Sequence, residues 1–320
     1  MMRRFRSRLR RDLEDFLVFK RAHGFPYRRA EYTLRQFDRF LCHHFRRGSF
    51  RLDRALLAWL GNMPEGRKSV STANEVGVIR QFCKYLRRRD PGCVIPGRIW
   101  APQSTTSDFV PYVLTGDDVR TLLRLAGRLG RPSFRRRLYR GLLLVLYCTG
   151  IRFGEALRLR IADVDLRSRT LFVAQSKGRS RWVPFRASLA RELASYLDAR
   201  RRVAGVDPTA SFFVGASGKP LSVTAASCGV RGLLRAAGLK PAAGRQGPRP
   251  YDLRHAFAVA RLTRWYRAGV DLHARLPWLS AYMGHDDILG TEAYLTATPE
   301  LLSLAGHRLR KRCLGTRGRV

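Results

Sequence analysis

Between Leu9 and Leu86 the apolar residues recur at three- and four-residue spacing. Leu9, Leu13, Phe16 and Leu17 begin one stripe, and Leu34, Phe37, Phe40 and Leu41 form a second, the period of helices that bury one face. Two further helices are expected at Asp53–Leu60 and Val70–Arg88, and Gly24-Phe25-Pro26, Arg47-Gly48-Ser49 and Gly61-Asn62-Met63-Pro64 are the breakers between the four. Connections this short favour a compact bundle. The last helix sets Val76, Ile79, Phe82, Cys83 and Leu86 on one side and surrounds them with Arg80, Lys84, Arg87, Arg88 and Arg89. One face packs, and the other either follows phosphates or is merely solvated.

The helical period lapses over residues 91–112, where Pro91, Pro96, Pro102 and Pro111 mark an extended linker. Beyond it, Thr115-Gly116-Asp117-Asp118 has the form of a capping box ahead of Val119, Leu122 and Leu123, so a helix should start at about Gly116. The next, from about Phe134, contains the run Leu142 to Tyr147, apolar on all sides and therefore expected to be buried, and stops at Thr149-Gly150. Leu171 to Gln175 and Arg181 to Phe185 are β-prone runs around the polar tip Ser176-Lys177-Gly178-Arg179-Ser180, a hairpin signature. Helix resumes from about Ala187 to Val203, and a loop at residues 244–250 leads into Tyr251-Asp252-Leu253-Arg254-His255. The fold class expected is mainly α with a small β-sheet or hairpin. Its parts are a helical domain at 1–90, the linker at 91–112, an α+β domain at 113–305 and a basic C-terminal tail at 306–320.

Charge sharpens this picture. Lys and Arg total 62 against 24 acidic residues in 320, a formal net charge of +38, and a chain so basic repels itself unless a polyanion neutralises it. Nucleic acid is the obvious polyanion, although a general preference for arginine explains part of the excess. No apolar stretch is long enough for a signal peptide or a membrane span, so a cytoplasmic protein without a membrane partner is expected. The six cysteines, Cys42, Cys83, Cys93, Cys148, Cys228 and Cys313, include no CxxC pair. Cys42-His43-His44 is the one cluster that tempts a metal reading, but neighbours on a helix diverge by about 100° and no second ligand pair follows. No metal and no cofactor are expected.

The candidate chemistry centres on Tyr294. A tyrosine hydroxyl can attack phosphorus and hold a broken DNA end as an ester, so that another strand is joined later without ATP. Upstream lie Thr149-Gly150-Ile151-Arg152-Phe153-Gly154-Glu155-Ala156-Leu157, then Lys177 at the hairpin tip, then Asp252-Leu253-Arg254-His255-Ala256-Phe257-Ala258, and finally Gly284-His285, nine residues before Tyr294. In that order, from about Tyr112 to Leu302, they resemble the catalytic domain of the tyrosine recombinase, or phage integrase, family. The helical module before them is similar to the family's core-binding (SAM-like) DNA-binding domain.

The resemblance implies a role for each residue. Arg152 and Arg254 clamp the non-bridging phosphate oxygens, where fixed guanidiniums bind developing charge without losing a proton. His285 donates a hydrogen bond to the same phosphate, and Lys177 protonates the departing 5′-oxygen. Glu155, one turn beyond Arg152, orients that helix or its arginine. Tyr251 departs from the pattern, because the family normally has histidine three residues before the second arginine, and a phenol is a poor base near neutral pH. His255 is expected to point elsewhere and to serve packing.

The activity implied is site-specific recombination on double-stranded DNA through a 3′-phosphotyrosyl intermediate, for integration, excision or transposition of a mobile element. Copies of the chain, as a tetramer, or partner recombinases would assemble on the DNA, and a final helix with Leu301, Leu302 and Leu304 would either anchor on a neighbour or fold back on its own domain. The arm before the first helix is too short for a separate arm-site domain. The runs Trp265-Tyr266-Arg267-Ala268-Gly269 and Tyr294 to Leu302 look similar to transposon-borne integrases. Two alternatives stay open: a catalytically weakened DNA-binding regulator, and a strand-relaxing enzyme of the type IB topoisomerase kind.

Overall fold

The computed structural model describes residues 5–45, 51–63, 69–97, 112–130, 133–176, 179–244, 246–285, 287–292 and 294–295, together with Ser303, Gly306 and Arg310. The chain divides into two compact units, Met1–Phe109 and Val110–Val320. Among the described residues no helix is long and apolar enough to cross a membrane.

The first unit contains helices α1 (Arg10–Ala22), α2 (Arg28–His44), α3 (Leu52–Gly61) and α4 (Ser69–Leu86). Each contributes its apolar stripe to one core: Leu13, Phe16 and Leu17; Leu34, Phe37 and Leu41; Leu56 and Trp59; Ile79, Phe82 and Cys83. Aromatic edges lock the helices together, with Phe16 and Phe82 rings 5.5 Å apart and Phe37 and Trp59 rings 5.4 Å apart, and such pairs add to simple burial. A buried carboxylate ties the N-terminal segment down, since Asp38 accepts backbone N–H bonds from Arg6 at 3.0 Å and Ser7 at 2.9 Å. The described start of the proline-rich stretch packs here too: Cys93 is buried and the Pro96 carbonyl accepts Arg80.

The second unit opens with α5 (Gly116–Gly127), whose capping box closes as its sequence implies: the Thr115 hydroxyl accepts the Asp118 N–H at 3.1 Å and the Asp118 carboxylate accepts the Thr115 N–H at 2.8 Å. Helix α6 (Ser133–Thr149) runs through the core. Leu142, Leu143, Val145 and Leu146 are buried, whereas Leu144 and Tyr147 are only half-buried, so the apolar run is not enclosed all round. The short α7 (Phe153–Arg158) follows, then a three-stranded antiparallel sheet in the order β1 (Val164–Asp165), β2 (Thr170–Ser176), β3 (Arg179–Pro184). The β2–β3 hairpin was expected; β1, only two residues long, carries no periodic signal. Leu171 pairs with Val183 and Val173 with Arg181 in register, so alternate residues face the core and Trp182 stands outside against Phe172.

Four longer helices and a short one follow: α8 (Ala187–Ala204), α9 (Val223–Ala236), α10 (Asp252–Arg267), α11 (Leu272–Met283) and α12 (Leu289–Glu292). The core spans α5, α6, α8 and α9 around Tyr196, Phe212 and Phe213. A second cluster, with Phe257, Leu262, Leu276, Leu279, Met283 and Tyr294, joins α10, α11 and the segment after α12. Glycine is required where α9 meets α6: a Cβ at Gly229 would fall 1.9 Å from the Tyr139 hydroxyl.

Candidate active site

Gly150 ends α6 in the left-handed region, φ +62°, and turns the chain so that Arg152 becomes the N-cap of α7. The Glu155 side chain, at the third helical position, accepts the Arg152 backbone N–H at 2.9 Å and pairs with its guanidinium at 2.8 Å. A carboxylate in the first turn also complements the helix dipole. Glu155 has a second cationic partner, Arg181 of β3, at 2.8 Å, and its own side chain is 1% exposed. One buried carboxylate therefore holds two guanidiniums.

Arg254 lies in the first turn of α10. Its Nη1 donates to the Gly150 carbonyl at 2.6 Å and its Nη2 to the Met283 carbonyl at 2.9 Å. The same helix end takes the other two arginines: Arg181 Nε donates to the Tyr282 carbonyl at 2.9 Å, and Arg152 Nη2 to the Gly284 carbonyl at 2.6 Å. Three successive carbonyls at the C-terminus of α11 thus each receive one guanidinium. Those are the acceptors a helix leaves unpaired, at the negative end of its dipole. Burial first, and the neighbouring Arg152 next, lower Arg254 to about 10, still far above neutral pH, so it remains a cation.

Gly284, φ +70°, ends α11, and His285 follows. Its Nδ1 lies 2.6 Å from the Thr291 hydroxyl, which α12 supplies from a fully buried position. The Tyr294 ring stacks 6.2 Å from the His285 ring. Tyr294 is 6% exposed, and burial raises its hydroxyl above the ordinary phenol value while the Arg254 guanidinium, and then Arg152, act in the opposite direction. At neutral pH the phenol is protonated, with two cations beside it that favour the phenolate as a proton leaves.

Of the residues singled out in the sequence, the structure brings Arg152, Glu155, Arg254, His285 and Tyr294 to one place, from four separate stretches of chain. Lys177, Leu301, Leu302 and Leu304 lie outside the described residues. Tyr251 is the N-cap of α10 and half exposed, with its ring 5.8 Å from that of Phe153. His255, expected to point away, instead puts its ring 5.3 Å from that of Tyr294. Burial lowers its pKa, with Asp252 opposing, and its Nδ1 is buried without a hydrogen-bond partner. Arg181, Asp252 and Thr291 were missed. Asp252, wholly buried, accepts the Arg249 backbone N–H at 2.7 Å and so fixes the entry into α10; its place just ahead of a helical run was a signal. For Arg181 and Thr291 the sequence offers none.

One unit is a helical bundle and the other an α+β fold that gathers cations and one phenol around a helix end, the fold class of the tyrosine recombinases. The Phage integrase family model matches residues 112–300. The putative integrase/recombinase y4rB of Sinorhizobium fredii (strain NBRC 101917 / NGR234) is 33% identical over 312 residues, 96% of this chain and 98% of that protein. Tyrosine recombinase XerD of Mycobacterium leprae (strain TN) is 32% identical over 60% of this chain and 59% of its own length. Among solved structures, the Tn1549 transposon integrase in complex with transposon right end DNA superposes with a TM-score of 0.66 at 18% identity, over 93% of this chain and 99% of that one. XerH site-specific recombinase bound to palindromic difH substrate gives 0.65 at 19% identity, over 87% and 78%; at such identities the likeness is one of fold. The chain belongs to the phage integrase family of tyrosine recombinases, DNA strand transferases.

Proposed function

We propose that this recombinase cleaves and rejoins double-stranded DNA at specific sites through a 3′-phosphotyrosyl intermediate on Tyr294, in the integration, excision or transposition of a mobile element. The phenol oxygen bonds to phosphorus as the bond to the 5′-oxygen breaks. The phenolic proton leaves, and Lys177 returns one to the 5′-oxygen. The free 5′-hydroxyl of a partner duplex then reverses the step on a new strand. Phosphodiester number is conserved, so the reaction asks for neither metal nor nucleotide. Arg152 and Arg254 bind the two non-bridging oxygens, where the charge of the transition state develops, and His285 donates to the same phosphate. Glu155 holds Arg152, and Tyr251 stands at the edge of the site as a hydrogen-bond donor.

The observation that carries this reading is the burial of the Tyr294 hydroxyl against Arg254 and Arg152. Arg152, Arg254 and Arg181 share one carboxylate, Glu155, so the cluster beside the phenol keeps a net positive charge, and a phosphodiester is an anion that would neutralise it. The net charge of +38 supports DNA as the partner. Recombination between two duplexes needs several active sites, so copies of the chain assembled on DNA, as a tetramer or with partner recombinases, complete the proposal. The relatives named as integrases and recombinases support the same chemistry.

The test is a duplex that the protein itself selects from random sequence, nicked so that the cleaved fragment diffuses away. The unaltered protein should accumulate a covalent adduct stable to denaturant, and Tyr294→Phe should give none while still binding. Binding without any adduct would favour the DNA-binding regulator, and relaxation of supercoils without recombinant product would favour the type IB topoisomerase kind.

A further inference from the structure

Arg181 occupies a position that β-strand geometry assigns to an apolar residue. It pairs with Val173 across the sheet and shares its face of β3 with Val183, both of them buried. A guanidinium on such a face is expensive unless its donors are matched. Three features from two other parts of the chain match it. The Glu155 carboxylate lies 2.8 Å from Nη2, and the Tyr282 carbonyl accepts Nε at 2.9 Å. The third is a missing side chain: a Cβ at Gly284 would fall 2.7 Å from Nη1 and 2.8 Å from Cζ, so the guanidinium fills the space beside that glycine.

Arg181 thereby touches both supports of the site. Glu155, its ion-pair partner, is the residue that aligns Arg152. Tyr282 and Gly284 belong to the turn that delivers Met283 to Arg254 and leads into His285. It lies four residues beyond Lys177 in the sequence. Surface arginines that merely add charge, such as Arg201 on its exposed pair with Asp198, have no such set of contacts.

We propose that Arg181 is a positioning residue for strand cleavage. It holds Arg152 through Glu155, and the turn before His285 through Tyr282 and Gly284, without itself touching DNA. The inference rests on the function proposed above. Releasing Arg181 frees Glu155 to draw Arg152 away from the phosphate, and displacement of a reacting or charge-stabilising group by about 1 Å costs on the order of 100-fold in rate.

The experiment compares the unaltered protein, Arg181→Gln, Arg181→Lys, Arg152→Lys and the double variant Arg152→Lys/Arg181→Gln in single-turnover cleavage of the nicked duplex, with DNA affinity and thermal melting measured alongside. Arg181→Gln should cleave about 100-fold more slowly while binding DNA within about threefold of the unaltered protein. Because its effect passes largely through Arg152, the double variant should be little slower than Arg152→Lys alone. Arg181→Lys keeps the charge beside Glu155 but cannot also reach the Tyr282 carbonyl, so it should recover part of the rate. Cleavage by Arg181→Gln at the unaltered rate, losses that multiply in the double variant, or a loss that follows DNA affinity would each overturn the inference. Should Arg181→Gln fail to fold, Arg181→Lys decides: slower cleavage with normal melting supports the proposal, and an unchanged rate refutes it. An unaltered protein that forms no adduct overturns the functional reading, and this inference with it.

Discussion

Gly150→Ala replaces one hydrogen by a methyl group and should damage both fold and site. At φ +62° an alanine pays for a left-handed backbone, about 1–2 kcal/mol. Its Cβ would also lie 2.2 Å from Cδ1, 2.8 Å from Cε1 and 2.9 Å from Cγ of Phe257, a buried ring stacked on Tyr282. No side-chain end can swing clear there, since the obstacle is the near edge of a packed ring, and overpacking of this kind costs about 1–3 kcal/mol. The two terms together come to roughly 2–5 kcal/mol. In urea, with a slope of about 2–3 kcal/mol per M, a loss near the middle of that range lowers the midpoint of the second unit's transition by roughly 1.2–1.8 M. The Gly150 carbonyl also accepts Arg254, so cleavage by the folded fraction should fall. The assay is urea unfolding followed by far-UV circular dichroism, with single-turnover cleavage on the same preparations. A variant that unfolds within about 0.5 kcal/mol of the unaltered protein would refute the reasoning, since that is the scatter of harmless surface changes.

Two further outcomes are expected. Because burial lowers the pKa of His255, the unfolded chain binds the extra proton first as the pH falls; the contribution of a neutral His255 to stability is full above about 6.5 and lost as the pH falls through its lowered native value. His255→Phe should remove that part of the acid loss, and thermal melts from pH 8 to pH 5 that decline in parallel for both proteins would contradict it. Asp38→Ala strands the N–H groups of Arg6 and Ser7, so the first unit should lose roughly 2–4 kcal/mol, read as a lower urea midpoint, since bonds to a charged acceptor are worth about 1.5–3 kcal/mol each and do not simply add.

The sequence announced what local rules govern. Thr115 and Asp118 form their capping box because both partners lie within one turn, and the β2–β3 hairpin declares itself by alternation on either side of a polar tip. The boxes around Arg152 and Arg254 could be read because each is a short stretch whose order along the chain carries the information. What distance governs was not legible. Strand β1 is too short to show a period and exists because Val164 and Asp165 find β2. Among so many arginines, no spacing distinguishes Arg200, buried and satisfied by the carbonyls of Gly205, Ser211 and Phe212, from Arg181, half-buried against Glu155, or from those left in solvent. His255 was misjudged for the same reason. Its direction on α10 could be reckoned from the helix, but the arrival of Tyr294 from another segment beside it could not.

The central claim is that one particular phenol makes the bond to phosphorus, and the most direct measurement is to find that bond. Protease digestion of the trapped protein–DNA adduct, followed by mass spectrometry of the nucleotide-bearing peptide, should place the phosphate on Tyr294. Recovery of the nucleotide on another residue, such as Tyr251 or Tyr282, would contradict the account.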